Sequence, residues 1–390
     1  MAAGLLGLGG PQDSTPEDLG ALAAAEAFYA ARPRVERPVA GWQEIPAGLT
    51  DLSAASCGEC HRAIYEEWRV STHAFAWTDR QFQAEREKSG NRWLCNNCHT
   101  PLMNQMENWA VGLEAGDVDR PRYVENPAFE PALRSEGISC AGCHVRDGVV
   151  EGPTGRATEA HATRQAERFS GSEICLACHQ AVQHYEGKDF VCVFETGEEW
   201  AEGPYGPEGS GQSCLACHMP PVTRPLAEGA PPRVGRHHDW PGAGIYKVEG
   251  VGPPLDRLGP GLSVEVEAGS DHLRIDYANA AAGHRLPTGD PERFIRIEVE
   301  FLDGADRRVG AWSERIGQQW KWWPEAEKLA DNRLAPLEAR QATVPRPPQA
   351  VAWKLTASSH RISQEALDYH DLEGYPASRV THRLEGRFEP

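Results

Sequence analysis

The chain has 390 residues, enough for two domains with cores of their own. Its formal net charge of −18 excludes a nucleic-acid partner, because no basic field exists to displace counterions. No apolar run approaches the roughly 20 residues that a membrane-spanning helix needs, so no transmembrane segment is expected.

The first stretch, MAAGLLGLGG, is apolar with no Lys or Arg before it, a poor export signal as it stands. Residues 14–31, STPEDLGALAAAEAFYAA, predict a helix, with Ser14 or Thr15 as cap and Pro16 in its first turn. Residues 1–50 are thus read as an N-terminal extension with one helix.

Ten of the eleven cysteines then fall in five Cys-x-x-Cys pairs, each followed at once by histidine. They are Cys57, Cys60 and His61; Cys95, Cys98 and His99; Cys140, Cys143 and His144; Cys175, Cys178 and His179; Cys214, Cys217 and His218. This is the attachment signature of haem c. Two thiols a turn apart reach the two vinyl groups of one porphyrin, and the next imidazole lies under the iron. Zinc knuckles or thioredoxin-like pairs need no histidine at that position. Chance would place it there five times with odds on the order of 10⁻⁷, against the haem signature. The cofactors expected are five covalent haem c groups. Because covalent attachment takes place outside the cytoplasm, the chain is expected to be periplasmic or extracellular, its export signal absent or truncated here.

Six-coordinate irons need five distal ligands. Met219 follows His218 too closely to reach the far side of the same iron, and Met103 and Met106 read as packing residues. Histidine must supply most of the set. His73 lies twelve residues past His61 on what reads as one helix, about 18 Å of rise, so it should serve a neighbouring haem. His161 lies between the third and fourth motifs. His184 is five residues past His179 and cannot share its iron. The pair His237 and His238 offers one ligand, His237 slightly favoured. In AGHRLPTGD, Gly283, Pro287 and Gly289 would aim His284 at the last unserved iron. His272, His360, His370 and His382 read as surface or core residues. Cys192, outside the motifs, reads as a small buried hydrophobe.

The five motifs occupy 162 residues, Cys57 to His218, about 32 per haem, too few for an ordinary core around each. The porphyrins themselves must be most of the core of a pentahaem domain, 51–250, built from short helices and loops. Residues 250–261, GVGPPLDRLGPG, read as a linker. After them the period changes to two in LSVEVEA, HLRIDYA, FIRIEVEFL, RRVGAWSERI, ARQATV and AVAWKLTA. This predicts an antiparallel β-sandwich over 251–390, roughly immunoglobulin-like in size, contributing a distal haem ligand. The expected class is therefore α+β and multidomain. In QQWKWWP, Trp320 and Trp322 share one face and Trp323 the other; core packing is expected, with cover for a haem edge or a partner as the alternative.

CGECHRAIYEEWRVSTHAFAW (57–77) resembles the first haem motif, with trailing ligand histidine, of the multihaem cytochrome c superfamily. That group includes pentahaem nitrite reductases, octahaem hydroxylamine oxidoreductases and tetrahaem carriers. CLACHMPPV…RHHDWPG (214–242) resembles its last motif with a ligand histidine, and AGHRLPTGDPERF a stretch behind the haem domain. The resemblance covers roughly residues 55–300 and is specific for haem c, not for a substrate. Two features depart from it: the nitrite reductases carry Cys-x-x-Cys-Lys at the substrate haem, whereas all five motifs here end in His, and their C-terminal part is helical.

The reading these residues favour is an electron carrier with five mainly bis-histidine haems, and whether the chain is also an enzyme stays open. Two imidazoles close both axial faces, so such an iron exchanges electrons without binding substrate. One alternative is a reductase or oxidase of a small nitrogen or sulfur compound at a five-coordinate haem. Another is a subunit of a conductive assembly or filament, making it a homo-oligomer or part of a larger redox complex. Acidity points to redox partners with a basic docking face.

Overall fold

The computed structural model describes residues 15–156, 158–255 and 259–389. The opening MAAGLLGLGG and the possible cap Ser14 lie outside the described residues, as do residues 256–258 of the linker. The chain divides into two compact units. The first takes residues up to Ile174 together with Met219–Trp240; the second takes Cys175–His218 and Pro241–Pro390. Motifs one to three therefore lie in the first unit, and motifs four and five lie with the strands that follow residue 250.

In the first unit the expected N-terminal helix forms at Pro16–Ala30. Thr15 is its cap: its hydroxyl accepts from the Asp18 N–H, while the Asp18 carboxylate accepts from the Thr15 N–H, so two orphan donors are satisfied reciprocally. At the other end Tyr29 is buried and its hydroxyl accepts from the Ala110 N–H, which ties the helix to strand Asn108–Leu113. The expected single helix from motif one to His73 is broken. Helix Ala54–Cys60 stops because His61 takes a non-helical ψ of 42°, and a second helix, Arg62–Trp68, ends five residues before His73. Helices Asn96–His99 and Cys140–His144 carry motifs two and three.

The connections are less irregular than expected. Asn108–Leu113 pairs with Pro121–Glu125, and Pro221–Arg224 pairs with Arg233–Arg236. Val149–Gly152 lies between Val145–Arg146 and Thr163–Gln165. One apolar cluster unites Ala40, Leu52, Leu102, Ala141 and Val145; another unites Ala54, Trp68 and Ala74, with Trp240 against it. Both flank haem-motif helices. Met103 and Met106 are buried, consistent with packing.

In the second unit, helices Glu173–His179 and Cys214–His218 carry motifs four and five. Between them, Ala181–His184 pairs with Val191–Phe194, where Cys192 is half-buried. Further along, two antiparallel sheets share one core. The smaller places His272–Asn279 between Leu262–Ala268 and Ala339–Pro345. The larger runs Glu327–Asp331, Arg308–Lys321, Phe294–Leu302, Ala352–His360 and Ser378–Arg387. Leu273 and Ile275 from the first meet Ile297, Val299, Phe301 and Leu355 from the second in that core. All six predicted segments are strands, and two more strands join them.

The tryptophan stretch does not enter the core. Trp320 and Trp322 stack on each other, ring centroids 5.4 Å apart, and Trp323 is 75% exposed. The strand has by then run out to pair with Glu327–Asp331, whose residues are all exposed, so no second sheet covers it.

Candidate haem-binding site

Each motif histidine sits at the C-terminal end of a short helix; four of these helices hold both cysteines, and in motif two Cys95 closes the preceding 3-10 turn, so thiols and imidazole emerge within a turn or so. Several rings are fixed by a carbonyl behind them. The Nδ1 of His61 donates to the Leu226 carbonyl (2.5 Å), that of His99 to Ala76 (2.7 Å), and that of His144 to Glu151 (2.8 Å). A proton held on Nδ1 puts the ring lone pair on Nε2, which is the tautomer a metal ligand requires.

Three motif histidines face another histidine. The ring centroids of His61 and His161 are 6.4 Å apart, those of His144 and His238 6.3 Å, and those of His218 and His284 6.2 Å. A metal–imidazole bond of about 2 Å on each side, plus the ring radii, puts two rings on one ion roughly 6 Å apart. The spacing of these pairs would admit a metal ion between the two rings. The facing rings are tethered in the same way: His238 Nδ1 donates to the Arg236 carbonyl and His284 Nδ1 to Arg285, both at 2.9 Å. Burial pushes the pKa of His144 and His284 down, and those of His218 and His238 down to about 4. A neutral imidazole is the ligating form. His179 is likewise lowered by burial to about 4.

The sequence favoured His237, but His238 is the ring that faces His144. His237 turns its Nδ1 to the Glu67 carboxylate at 2.6 Å. Glu67 also accepts two bonds from Arg224, each 2.7 Å, and one from the His238 N–H at 2.9 Å. Burial raises its pKa, but these donors outweigh burial and bring it to about 2.

The loop carrying His284 is anchored by buried Glu199 of helix Thr196–Ala201. Glu199 accepts from the Arg285 N–H (3.2 Å), the Thr288 hydroxyl (2.6 Å) and the Arg333 guanidinium (2.5 Å). Asn279 donates to the His284 carbonyl, and Leu286 exchanges backbone bonds with Leu334. Gly289 takes φ +86°, a conformation that favours glycine. Sequence alone suggested a rigid loop but gave no sign of Glu199.

Of the other predicted positions, His73 packs edge-on against Trp240 at 4.4 Å. His184 is exposed at the end of its strand, and among the described residues its ring faces no motif histidine. His272 lies beside Asp271 at the surface, and His360 stacks on Phe294. The cysteines also relate motifs distant in sequence: the Cys57 and Cys140 thiols are in hydrogen-bond contact, so the attachment points of motifs one and three adjoin.

Cysteine pairs beside imidazoles that face a second imidazole define a c-type cytochrome, and the residues present fit covalently bound haem c. The family model for "Cytochrome c554 and c-prime" matches residues 56–145, which contain motifs one to three. The fold is similar to that of a penta-heme cytochrome c552 from Thermochromatium tepidum, with 15% identity and a TM-score of 0.62 over 86% of this chain and 98% of that one. A hypothetical protein from Pyrococcus horikoshii, 18% identical, covers 33% of this chain and 85% of its own at a TM-score of 0.17, too low to bear on the fold. No curated protein matches the sequence. Over residues 56–145 the chain is thus similar to a c-type cytochrome family, and its fold is similar to that of a penta-heme cytochrome. Among the described residues no helix is long and apolar enough to cross a membrane.

Proposed function

We propose that this protein is an electron carrier holding five haem c groups, one at each Cys-x-x-Cys-His motif, with histidine on both axial sides of most irons. The observation that carries this reading is the set of three facing histidine pairs at 6.2–6.4 Å. His161, His238 and His284 are the distal ligands opposite His61, His144 and His218. His73 serves one further iron, other than that of His61. Bound in these places, haem c supplies one-electron exchange. The chain's part would be to hold Nε2 of each ligand toward the metal position and, at the irons with two histidines, to leave no coordination site for a substrate. The eight strands in two sheets are best read as a β-sandwich whose role includes presenting His284. The partners are redox proteins with a basic face, met outside the cytoplasm.

Low-temperature EPR of the oxidised protein tests the reading. Low-spin iron throughout the three paired sites is expected. A native high-spin haem at motif one, three or five would overturn it and favour a reductase or oxidase.

A further inference from the structure

We infer that Glu67 is a positioning residue that selects His238 over the adjacent His237 as the axial partner of His144. This rests on the ligand reading above. His237 and His238 follow strand Arg233–Arg236, and successive side chains of an extended backbone point to opposite sides, so a slip of one residue would exchange them. Nothing in an imidazole distinguishes one from the other as a ligand. The choice must come from what surrounds them.

Glu67 makes that choice with both oxygens. Oε1 takes His237 Nδ1 (2.6 Å), and Oε2 takes the His238 N–H (2.9 Å), so one carboxylate grips the competing ring and the backbone of the ligand together. The carboxylate is itself fixed by the bidentate Arg224 fork, an arrangement that sets orientation as well as charge. Arg224 also donates to the Arg236 carbonyl (3.3 Å), the same carbonyl that receives His238 Nδ1 (2.9 Å). Glu67, Arg224 and His237 are each less than one-fifth exposed, so water competes weakly for these bonds. Glu67 lies on helix Arg62–Trp68, directly after motif one, yet it governs the ligand of motif three. With the carboxylate removed, the bond that holds His237 Nδ1 is lost and His237 would compete with His238 for the iron.

The test is EPR of the oxidised holoprotein, with the midpoint potential of the affected haem as a second readout. In Glu67→Gln, the low-spin signal lost in His238→Ala should become heterogeneous, and its potential should shift. Adding His237→Leu to Glu67→Gln should restore a single low-spin species, an outcome that a merely structural role for Glu67 would not produce. Glu67→Asp should lie closer to wild type than Glu67→Gln. If Glu67→Gln matches wild type while His238→Ala creates a high-spin haem, or if His237→Leu restores nothing, the selection by Glu67 is overturned. Should Glu67→Gln fail to mature with haem, Arg224→Lys, which keeps the charge but loses the fork, gives the same readings with the same criteria. If His238→Ala leaves every haem low-spin, the ligand reading itself fails, separately from the role of Glu67.

Discussion

What orients a histidine can lie far away in sequence. His284 shows this most plainly: its loop is held by Glu199, 85 positions earlier, and its ring stands 6.2 Å from that of His218. His284→Ala should therefore convert one haem from low spin to high spin, seen as a new high-spin EPR signal, with the other signals unchanged. The motifs were fully legible in the sequence because attachment chemistry fixes their spacing. The different settings of His237 and His238 were not, because the carboxylate that bonds the His237 ring and the His238 N–H comes from Glu67, about 170 positions away. A second residue-scale prediction concerns Glu292. Burial, then the Asp290 carboxylate, push its pKa up to about 7, against the opposing bond from Trp322 and the Arg315 charge. A carboxyl raised above its unfolded value contributes stability that is complete below about pH 4.5 and lost as pH rises toward 7. The span corresponds to on the order of 3 kcal/mol. Glu292→Gln should flatten the denaturation midpoint between pH 4.5 and 7 and exceed wild type above pH 7; parallel pH profiles would show that the carboxyl ionises freely.

At the scale of elements, the strand Phe294–Leu302 alternates as its sequence predicts: Ile295, Ile297 and Val299 are buried, while Arg296, Glu298 and Glu300 are exposed. It is the central strand of the larger sheet, paired on both sides, so its inward residues have no room to relax. Ile297→Ala should cost about 2–5 kcal/mol, while Glu298→Ala should stay within about 0.5 kcal/mol, as read by denaturant unfolding of the holoprotein. The two strands that period-two reading missed lack that signal for a physical reason. Glu327–Asp331 buries nothing, and Ser378–Arg387 is an edge strand with little apolar surface to reveal it. Their backbone bonds to a neighbour define them, and no side-chain pattern does. The short sheets among the haem motifs are equally silent in sequence, since strands such as Val145–Arg146 are only two residues long. The helix expected to run on to His73 was a misreading of the opposite kind: helical composition continues through His61, but that residue is turned out of the helix as its ring faces His161.

For the whole molecule, the charge balance makes the most general prediction. Acidic residues number 57 against 39 Lys and Arg, and every haem adds two propionates to that side. Ion pairs consume some of the acids: Glu151 with Arg164, Glu67 with Arg224, and Glu199 with Arg333. Because each such pair also removes a cation, the excess of −18 is unchanged and must be carried by groups facing solvent or buried without a cation. Buried carboxylates without cations are costly, so most of the excess faces water. A basic redox partner would then be drawn in by a long-range field before any contact forms, and the gain would appear in the association rate more than in the lifetime of the complex. Raising ionic strength from about 0.01 M to 0.15 M shortens the screening length from about 30 Å to 8 Å. The second-order rate of electron exchange with a small basic cytochrome should fall by roughly tenfold or more over that range. The same measurement with an acidic partner should show the reverse slope, because screening there relieves repulsion. A flat profile with both partners would mean that docking is governed by an uncharged patch, and the exposed Trp323 would be the first residue to change.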